Sequence, residues 1–539
     1  MLVRPRVRTW LALITPAALA ALAALACTRA DVPVDLAAIT PVGATTPVWL
    51  QGAAPGEPTV TLPPPTAPVA GAPSPTPRPT HDVSTGPTPD ATRPSVLERQ
   101  SEELYTVVAG DSLNAIGERY GVTGAEIAAA NDMDVNDTLF VGQVLTIPIP
   151  SQTTIGSDLK LLPDSEFVFG PSLTDFNLDA FVQAYGGYLS TYTEEIPGRY
   201  LDGSDQSRVL SGVDIVRTVA QRYSVSPRLL LAVLEYQSGW VRSPAPSDNT
   251  LTFPIGRVDV GREGLYRQLA WAANQLNYGY YAWRAGSLVS WGFGSGDLRL
   301  VAPGQNAGTV GVQNFLATML SAPDWDAAVL ADGFYSTYTA LFDNPFRVAV
   351  DPVVPADLVQ PLLQLPIERN TVWSFTGGPH GAWDTGSAWG ALDFAPPSDT
   401  LGCVPSDQWV VAAAPGLIVR TGDGAVLQDL DGDGYEQTGW VLFYMHVEAR
   451  DRVAPGTYLQ VGDRIGHPSC EGGVSDGTHL HFARKYNGEW LAADGPLPFV
   501  LDGWVSAGLG REYDGTLANG LLTLEACACR AEGNAISRP

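Results

Sequence analysis

The sequence predicts a multidomain protein with three folded parts: a small βααβ module, a mostly α-helical middle domain and an antiparallel all-β C-terminal domain. The chain has 539 residues, which is too long for a single hydrophobic core. Its hydrophobic periodicity changes from helical spacing in the middle to short β segments between Gly and Asp turns near the C-terminus. A Pro- and Thr-rich stretch before residue 103 lacks the apolar residues of a core, so we expect folding only beyond it.

Residues 1–27 have the form of a secretory leader. Three arginines are followed by an apolar run that ends in Ala24-Leu25-Ala26-Cys27, and the small residues before the cysteine resemble a bacterial lipobox. The resemblance implies that Cys27 is lipidated and anchors the mature chain to a membrane. The alternative is an uncleaved membrane anchor, because the apolar run is at the short end of what spans a bilayer. Both interpretations place the remaining chain outside the cytoplasm, at a bacterial cell surface.

Residues 28–102 are predicted to be a disordered linker rich in Pro and Thr. If it is extended at about 3.1 Å per residue, the linker reaches roughly 200 Å and holds the folded part away from a membrane. The formal net charge of the chain is −26. Because phosphate contacts depend on Lys and Arg, this charge argues against a nucleic-acid partner.

Residues 103–150 are predicted to form the βααβ module, with strands at 105–108 and 144–147 and helices at 112–120 and 125–130. The run from Tyr105 to Leu113 (Tyr-Thr-Val-Val-Ala-Gly-Asp-Ser-Leu) and the run from Val141 to Pro148 resemble a LysM domain. The resemblance implies binding of N-acetylglucosamine-containing glycans, in peptidoglycan or chitin. It places the sugar contacts in loops that are marked by Gly110, Asp111 and Asn131. The alternative is a spacer without a ligand.

Residues 160–362 are predicted to form a mainly helical domain. One helix begins at Ser226-Pro227, an N-cap followed by proline at the first helical position. The segment from Ser226 to Trp240 faintly resembles the catalytic-helix region of lysozyme-like lytic transglycosylases. Gln237 stands where those enzymes have their acidic Glu, and a glutamine cannot act as a general acid. We therefore favour a module that packs, or that holds glycan without cutting it.

Residues 365–530 are predicted to form the antiparallel β domain, and they contain a His-x-His pair flanked by Leu and Phe. On a strand, His479 and His481 project from the same face about 7 Å apart. Together with Gly378-Pro379-His380, Leu392-Asp393-Phe394 and the aromatic segment ending in His446, this pair resembles the lysostaphin-like and β-lytic zinc endopeptidases that cut peptidoglycan peptides. The long spacing between His380 and Asp393 is similar to the β-lytic branch.

The resemblance implies that His380, Asp393 and His481 bind one Zn²⁺ ion and that His446 and His479 handle protons in catalysis. Imidazole nitrogen and carboxylate oxygen are both common zinc ligands. Three such ligands leave the fourth position of a catalytic zinc site open for water. Which of the two catalytic histidines is the general base stays open. We expect the substrate groove to be lined by loops around four aromatic residues, Trp373, Phe375, Trp383 and Tyr444.

Four further cysteines suggest disulfides in an exported chain. Our first pairing joins Cys403 to Cys470 and Cys527 to Cys529, and crossed pairings stay open. The loop that contains Asp429, Asp431 and Asp433 begins like a calcium site, but Trp440 stands where an EF-hand has its last acid. We favour an acidic hairpin turn there, with bound Ca²⁺ as the alternative.

The function that we expect is that of an exported, cell-wall-bound zinc metalloendopeptidase that hydrolyses the peptide cross-links of peptidoglycan. The LysM module would hold it on the glycan and raise the local substrate concentration. The first alternative is a catalytically inactive cell-wall-binding scaffold or activator of other murein hydrolases. The complete set of expected metal ligands argues against it. A bifunctional hydrolase is the second, and Gln237 argues against it.

Overall fold

The computed structural model describes Val96 and residues 99–108, 110–151 and 154–538. The predicted leader with Cys27 and almost all of the predicted linker lie outside these residues. Within the described residues, none of the helices has the length and the apolar character needed to span a membrane. The elements form a βααβ module, a helical middle region and an antiparallel C-terminal region, so the predicted fold class is confirmed.

The βααβ module consists of β1 (Glu103–Thr106), α1 (Leu113–Tyr120), α2 (Gly124–Ala130) and β2 (Val144–Ile147). β1 and β2 pair antiparallel. α2 begins at a capping box, in which the Thr123 hydroxyl accepts from the Glu126 N–H and the Glu126 carboxylate accepts from the Thr123 N–H. The module has its own small core, which includes the fully buried residues Ile116, Ile127 and Leu145.

The middle region contains nine α-helices and two short hairpins among the described residues: α3 (Asp164–Phe167), α4 (Leu178–Tyr185), β3 (Thr193–Ile196), β4 (Arg208–Ser211), α5 (Gly212–Tyr223), α6 (Pro227–Ser238), α7 (Asn249–Thr252), α8 (Leu265–Arg284), β5 (Ser290–Gly292), β6 (Leu298–Leu300), α9 (Ala307–Ala317), α10 (Ala322–Ala328) and α11 (Phe334–Phe342). α6 begins where the sequence predicts, with the Ser226 hydroxyl as N-cap and Pro227 at the first helical position.

The C-terminal region contains fifteen strands: β7 (Val372–His380), β8 (Ala391–Ala395), β9 (Val410–Val411), β10 (Gly416–Gly422), β11 (Ala425–Asp429), β12 (Trp440–Met445), β13 (Tyr458–Leu459), β14 (Arg464–Gly466), β15 (Leu480–Tyr486), β16 (Glu489–Trp490), β17 (Val500–Leu501), β18 (Trp504–Gly508), β19 (Gly515–Asn519), β20 (Leu522–Glu525) and β21 (Ala535–Ser537).

The largest sheet has nine strands in the order β13-β10-β11-β12-β15-β8-β7-β21, with β16 paired to β15. A second sheet has four strands in the order β17-β18-β19-β20. β21 pairs with β7, so the large sheet continues past residue 530, where the sequence analysis ended the domain.

The two faces of the large sheet belong to two different cores. Leu442 and Phe482 point from β12 and β15 into a core that includes residues of the four-stranded sheet. Phe443 and Ala483 are their neighbours along the chain and point to the opposite face, because side chains alternate along a strand. There they share a core with helices of the middle region, including Leu230 of α6. The helical region therefore packs directly on one face of the sheet.

Polar contacts also join the helical region to that face. The Arg284 guanidinium at the end of α8 lies 2.8 Å from the Glu489 carboxylate of β16. Arg222 of α5 lies 2.8 Å from Asp423, in the turn between β10 and β11. Both pairs add directional contacts to an interface that is otherwise apolar.

Candidate metal centre

His380, Asp393 and His481 come together because their strands are neighbours in the large sheet. His380 is the last residue of β7, Asp393 lies in β8, and His481 lies near the start of β15, directly opposite Asp393. The pairing of β7 with β8 is irregular around Gly377, which lies opposite Asp393. A Cβ atom at Gly377 would lie 2.6 Å from the Asp393 carboxylate, so this position needs glycine.

One atom of each side chain faces the same point. His380 Nε2 lies 3.0 Å from His481 Nδ1 and 3.2 Å from Asp393 Oδ1. His481 Nδ1 lies 3.3 Å from the same Asp393 oxygen. Ligands at zinc–nitrogen and zinc–oxygen distances of about 2.0–2.2 Å in a tetrahedron are roughly 3.4 Å apart. The three atoms are therefore spaced as three corners of a zinc site.

The protons of the two imidazoles are fixed by backbone carbonyls. His380 Nδ1 donates to the Gly378 carbonyl at 2.8 Å, and His481 Nε2 donates to the Ala382 carbonyl at 3.0 Å. A carbonyl oxygen only accepts, so each neutral ring keeps a bare lone pair on its other nitrogen. Asp393 Oδ1 is buried and has no hydrogen-bond donor among the described residues. Three acceptors that face one another need a cation between them, and this chemistry fits Zn²⁺.

The local electrostatics keep Asp393 ionised. Burial raises the pKa of the Asp393 carboxyl, but His380 and His479 lower it more, so that the pKa lies well below its ordinary value. Burial lowers the pKa of His380, but the Asp393 carboxylate, together with the Gly378 carbonyl and Glu512, raises it more, so that the pKa lies above its ordinary value. Without a metal ion, a proton on His380 would take the place of the cation beside Asp393.

His446 and His479 lie beside this group. The two rings are 4.5 Å apart, and His479 Nε2 lies 3.6 Å from Asp393 Oδ1. His446 Nδ1 donates to the Glu471 carbonyl at 3.0 Å, and His479 Nδ1 donates to the Gly477 carbonyl at 2.7 Å. In each neutral ring, Nε2 is thus the nitrogen that can accept a proton. Burial, together with His479 and His481, holds the pKa of His446 well below its ordinary value.

A disulfide supports the loops that carry these two histidines. Cys403 and Cys470 are joined, and Glu471, whose carbonyl accepts from His446, follows Cys470 directly. Thr478, which precedes His479, accepts from the Val404 N–H at 2.9 Å beside the same disulfide. Cys527 and Cys529 form a second, local disulfide.

The aromatic residues expected in the groove divide between the two faces of the sheet. Trp373, Phe375 and Tyr444 are fully buried in the core on the opposite face, so their assignment to the groove was wrong. Trp383 lies on the metal-bearing face, with its ring 6.1 Å from that of Phe443 and 6.2 Å from that of Tyr223 in α5. The error arose because the register of each strand, which the sequence does not show, decides its inward face.

Two residues near the centre were not found from the sequence. The Tyr513 ring stacks on the His380 ring at 4.2 Å, and Glu512 Oε1 accepts from the Gly381 N–H at 3.1 Å. Both lie in the turn between β18 and β19, about 130 residues after His380. No motif surrounds them, so only their position in the fold reveals them.

The residues that mark the LysM loops have structural partners. Asp111 Oδ2 accepts from the Tyr105 hydroxyl and the Val108 N–H, both at 2.8 Å. The Asn131 amide donates to the Thr146 carbonyl and accepts from the Thr146 N–H, also at 2.8 Å. Gly110 has a φ of +90°, which favours glycine. These residues shape the loops, and their contact with sugar stays a prediction.

In α6, the Glu235 carboxylate accepts from the N–H groups of Val241 and Arg242 and pairs with the Arg242 guanidinium at 2.6 Å. Its oxygens are thus used to close the end of the helix. This arrangement agrees with a structural role for the helical region and not with cleavage of glycan.

The acidic loop between β11 and β12 is a hydrogen-bonded turn. Buried Asp429 accepts from the N–H groups of Asp431, Gly432 and Gly434, and burial together with Asp431 raises its pKa to about 8. Carboxylate oxygens of Asp429, Asp431 and Asp433 lie within 4.8 Å of one another. The acidic hairpin turn was the favoured interpretation, and calcium binding stays the untested alternative.

Two family models match the chain: the LysM domain over residues 105–148 and the LasA N-terminal domain over residues 160–354. Beside its LysM domain, the chain is similar to protease LasA, to β-lytic metalloendopeptidases and to M23 metallopeptidases. The predicted resemblance to lysostaphin-like and β-lytic metallopeptidases is confirmed, as is the LysM domain. The middle region, which the sequence faintly likened to lytic transglycosylases, matches the LasA N-terminal domain.

Protease LasA of Pseudomonas aeruginosa is 28% identical over 359 residues, which cover 62% of this chain and 75% of that protein. The β-lytic metalloendopeptidase of Lysobacter enzymogenes is 26% identical over 163 residues, or 30% of this chain and 88% of that protein. Among solved structures, the M23 metalloprotease pseudoalterin is 23% identical with a TM-score of 0.26, over 32% of this chain and 96% of that one.

Proposed function

We propose that this protein is a zinc metalloendopeptidase that hydrolyses the peptide cross-links of peptidoglycan. The observation that carries the proposal is the convergence of His380 Nε2, Asp393 Oδ1 and His481 Nδ1 at 3.0–3.3 Å, with the imidazole protons directed away from that point. Similarity to β-lytic metalloendopeptidase supports the reaction class. We propose these three residues as the zinc ligands.

A bound zinc ion would supply a water nucleophile near neutral pH and polarise the peptide carbonyl. The chain itself supplies two Nε2 atoms for proton transfer, on His446 and His479, because the Nδ1 of each ring donates to a backbone carbonyl. One of these histidines accepts the proton of the attacking water at Nε2. The other, when it carries a proton on Nε2, donates that proton in a hydrogen bond to the oxyanion that develops on the substrate. Their assignment to the two roles stays open.

The same proposal extends to the rest of the chain. Residues 1–27 are a leader, Cys27 carries a lipid anchor, and residues 28–102 are a linker to the LysM domain at 103–150. The helical domain spans 160–362, and the peptidase domain begins at 365 and ends with β21 rather than at 530. LysM binding to glycan holds the peptidase at a cell surface and raises its local substrate concentration.

Zinc analysis and murein digestion test this function. We expect about one zinc per wild-type chain and loss of zinc in His481→Ala. Purified murein should lose turbidity with the wild type and not after chelation, and mass spectrometry should show cleaved peptides on intact glycan. Products cut in the glycan would contradict the proposal. Zinc binding without hydrolysis would favour the inactive scaffold.

A further inference from the structure

The turn between β18 and β19 reaches the end of β7, where the first candidate ligand lies. The Gly378 N–H donates to the Tyr513 carbonyl at 2.8 Å, and the Tyr513 N–H donates to the Pro379 carbonyl at 3.1 Å. A Cβ atom at Gly378 would lie 2.5 Å from the Gly515 nitrogen. The turn and the end of β7 are therefore in direct backbone contact, immediately before His380.

The segment from 378 to 382 contains both carbonyls that fix the imidazole protons. The Gly378 carbonyl accepts from His380 Nδ1, and the Ala382 carbonyl accepts from His481 Nε2. The turn holds this segment at both ends: Tyr513 binds Gly378 through the backbone, and Glu512 Oε1 accepts from the Gly381 N–H at 3.1 Å. Glu512 thus binds the residue that directly precedes Ala382, whose carbonyl orients His481.

The ring of Tyr513 adds a contact from the same turn. It stacks on His380 at a centroid distance of 4.2 Å and an interplanar angle of 20°. Stacking restricts the rotation of the imidazole about its Cβ–Cγ bond, while the Gly378 carbonyl selects its tautomer. The orientation of both candidate imidazole ligands therefore depends on one turn.

We propose that residues 509–514 are an outer-sphere clamp for the metal group and that Glu512 is its positioning residue. The inference rests on the proposed function, because it concerns the same three ligands. Hydrogen-bond partners of metal ligands fix ring orientation and tautomer, and their loss typically weakens metal binding about 10- to 100-fold. Glu512 acts through the segment that presents Ala382 and is not one of the three candidate ligands.

The test is a zinc titration of the full chain against a competing fluorescent chelator. We expect Glu512→Ala to bind zinc about 10- to 100-fold more weakly than the wild type. Glu512→Gln keeps an oxygen acceptor for the Gly381 N–H and should retain most of the affinity. Glu525→Ala is the matched control, because Glu525 on β20 has no side-chain hydrogen bond among the described residues. Far-UV circular dichroism checks folding.

A second readout needs no metal. In metal-free protein with ¹⁵N-labelled histidine, the Nε2–H of His481 should exchange with solvent faster in Glu512→Ala than in the wild type. Unchanged zinc affinity and unchanged exchange would overturn the clamp. Equal losses of zinc affinity in Glu512→Gln and Glu512→Ala would assign the effect to the charge of Glu512 and would also overturn the clamp. If the wild type binds no zinc, the proposed function fails, and the exchange rates alone decide the clamp.

Discussion

At the scale of single residues, the position of a few protons determines what this centre can do. Four histidines each donate a ring N–H to a backbone carbonyl: His380, His446, His479 and His481. The donating nitrogen is Nδ1 in three of them and Nε2 in His481. This exception lets His481 present Nδ1 to the point shared with His380 and Asp393. The five residues therefore separate into three candidate ligands and two candidate catalytic histidines.

Variants of the two candidate catalytic histidines should separate metal binding from turnover. We expect His446→Ala and His479→Ala to retain zinc, because neither supplies one of the three converging atoms. Hydrolysis of murein should fall by about 10²- to 10⁴-fold, the usual contribution of a general acid or base. Zinc content and initial rates, measured on the same samples with wild type as reference, check both expectations. Loss of zinc in either variant would place that histidine among the ligands.

At the scale of elements, loops determine how the centre is supported. β7, β8 and β15 bring the ligands together, but the partners of His446 and His479 lie in segments tied by the Cys403–Cys470 disulfide. The strands were predicted from short β segments separated by Gly-rich turns. The sequence did not reveal Glu512 or Tyr513, because the contact of the β18–β19 turn with β7 depends on packing between distant segments.

The two disulfides should contribute unequally to stability. Cys403 and Cys470 are 67 residues apart, so their link restricts a long loop of the unfolded chain. Replacing both by Ser should lower the free energy of unfolding by about 2–4 kcal/mol. Cys527 and Cys529 are only 2 residues apart, and their double Ser variant should change it much less. Urea unfolding measures both variants, and equal losses would refute the loop-length explanation.

At the scale of the whole molecule, the LysM domain contacts the helical region. The Glu118 carbonyl in α1 accepts from the Val289 N–H at 3.0 Å, and the Glu118 carboxylate lies 3.4 Å from the Tyr278 hydroxyl in α8. The helical region in turn shares a core with the metal-bearing face of the sheet. It thus connects the proposed glycan-binding and peptidase parts.

The LysM contact should weaken as pH rises. Burial raises the pKa of the Glu118 carboxyl to about 7 from an ordinary 4.5, although the Tyr278 hydroxyl acts in the opposite direction. Because the pKa is higher in the folded state, the protonated Glu118 carboxyl stabilises the contact. This contribution is complete below about pH 4.5 and is lost as pH rises through 7. Amide exchange in α1 should therefore be faster at pH 8 than at pH 5, after correction for the intrinsic exchange rate. Glu118→Gln should remove the difference, and exposed Glu102→Gln should keep it.

The helical region and the sheet should unfold together. Their shared core and the buried Arg284–Glu489 pair link them, so tryptophan fluorescence and far-UV circular dichroism should report one coincident urea transition. Arg284→Met leaves Glu489 buried without its guanidinium and should cost about 3–5 kcal/mol. Arg347→Met, in an exposed pair with Asp343, should cost less than about 1 kcal/mol. Two separate transitions would show that the regions unfold independently.

The sequence by itself determined the three-part fold class and the LysM resemblance, and it singled out the five candidate site residues. These features follow from local periodicity and from short motifs such as His479-x-His481, which need no knowledge of distant contacts. Only the tertiary structure decided which atoms face one another, which carbonyls fix the ring protons, and that Tyr444 lies on the face opposite His481. The physical reason is register: strand pairing and irregularities such as the one at Gly377 set the direction of each side chain, and they arise between segments far apart in the chain.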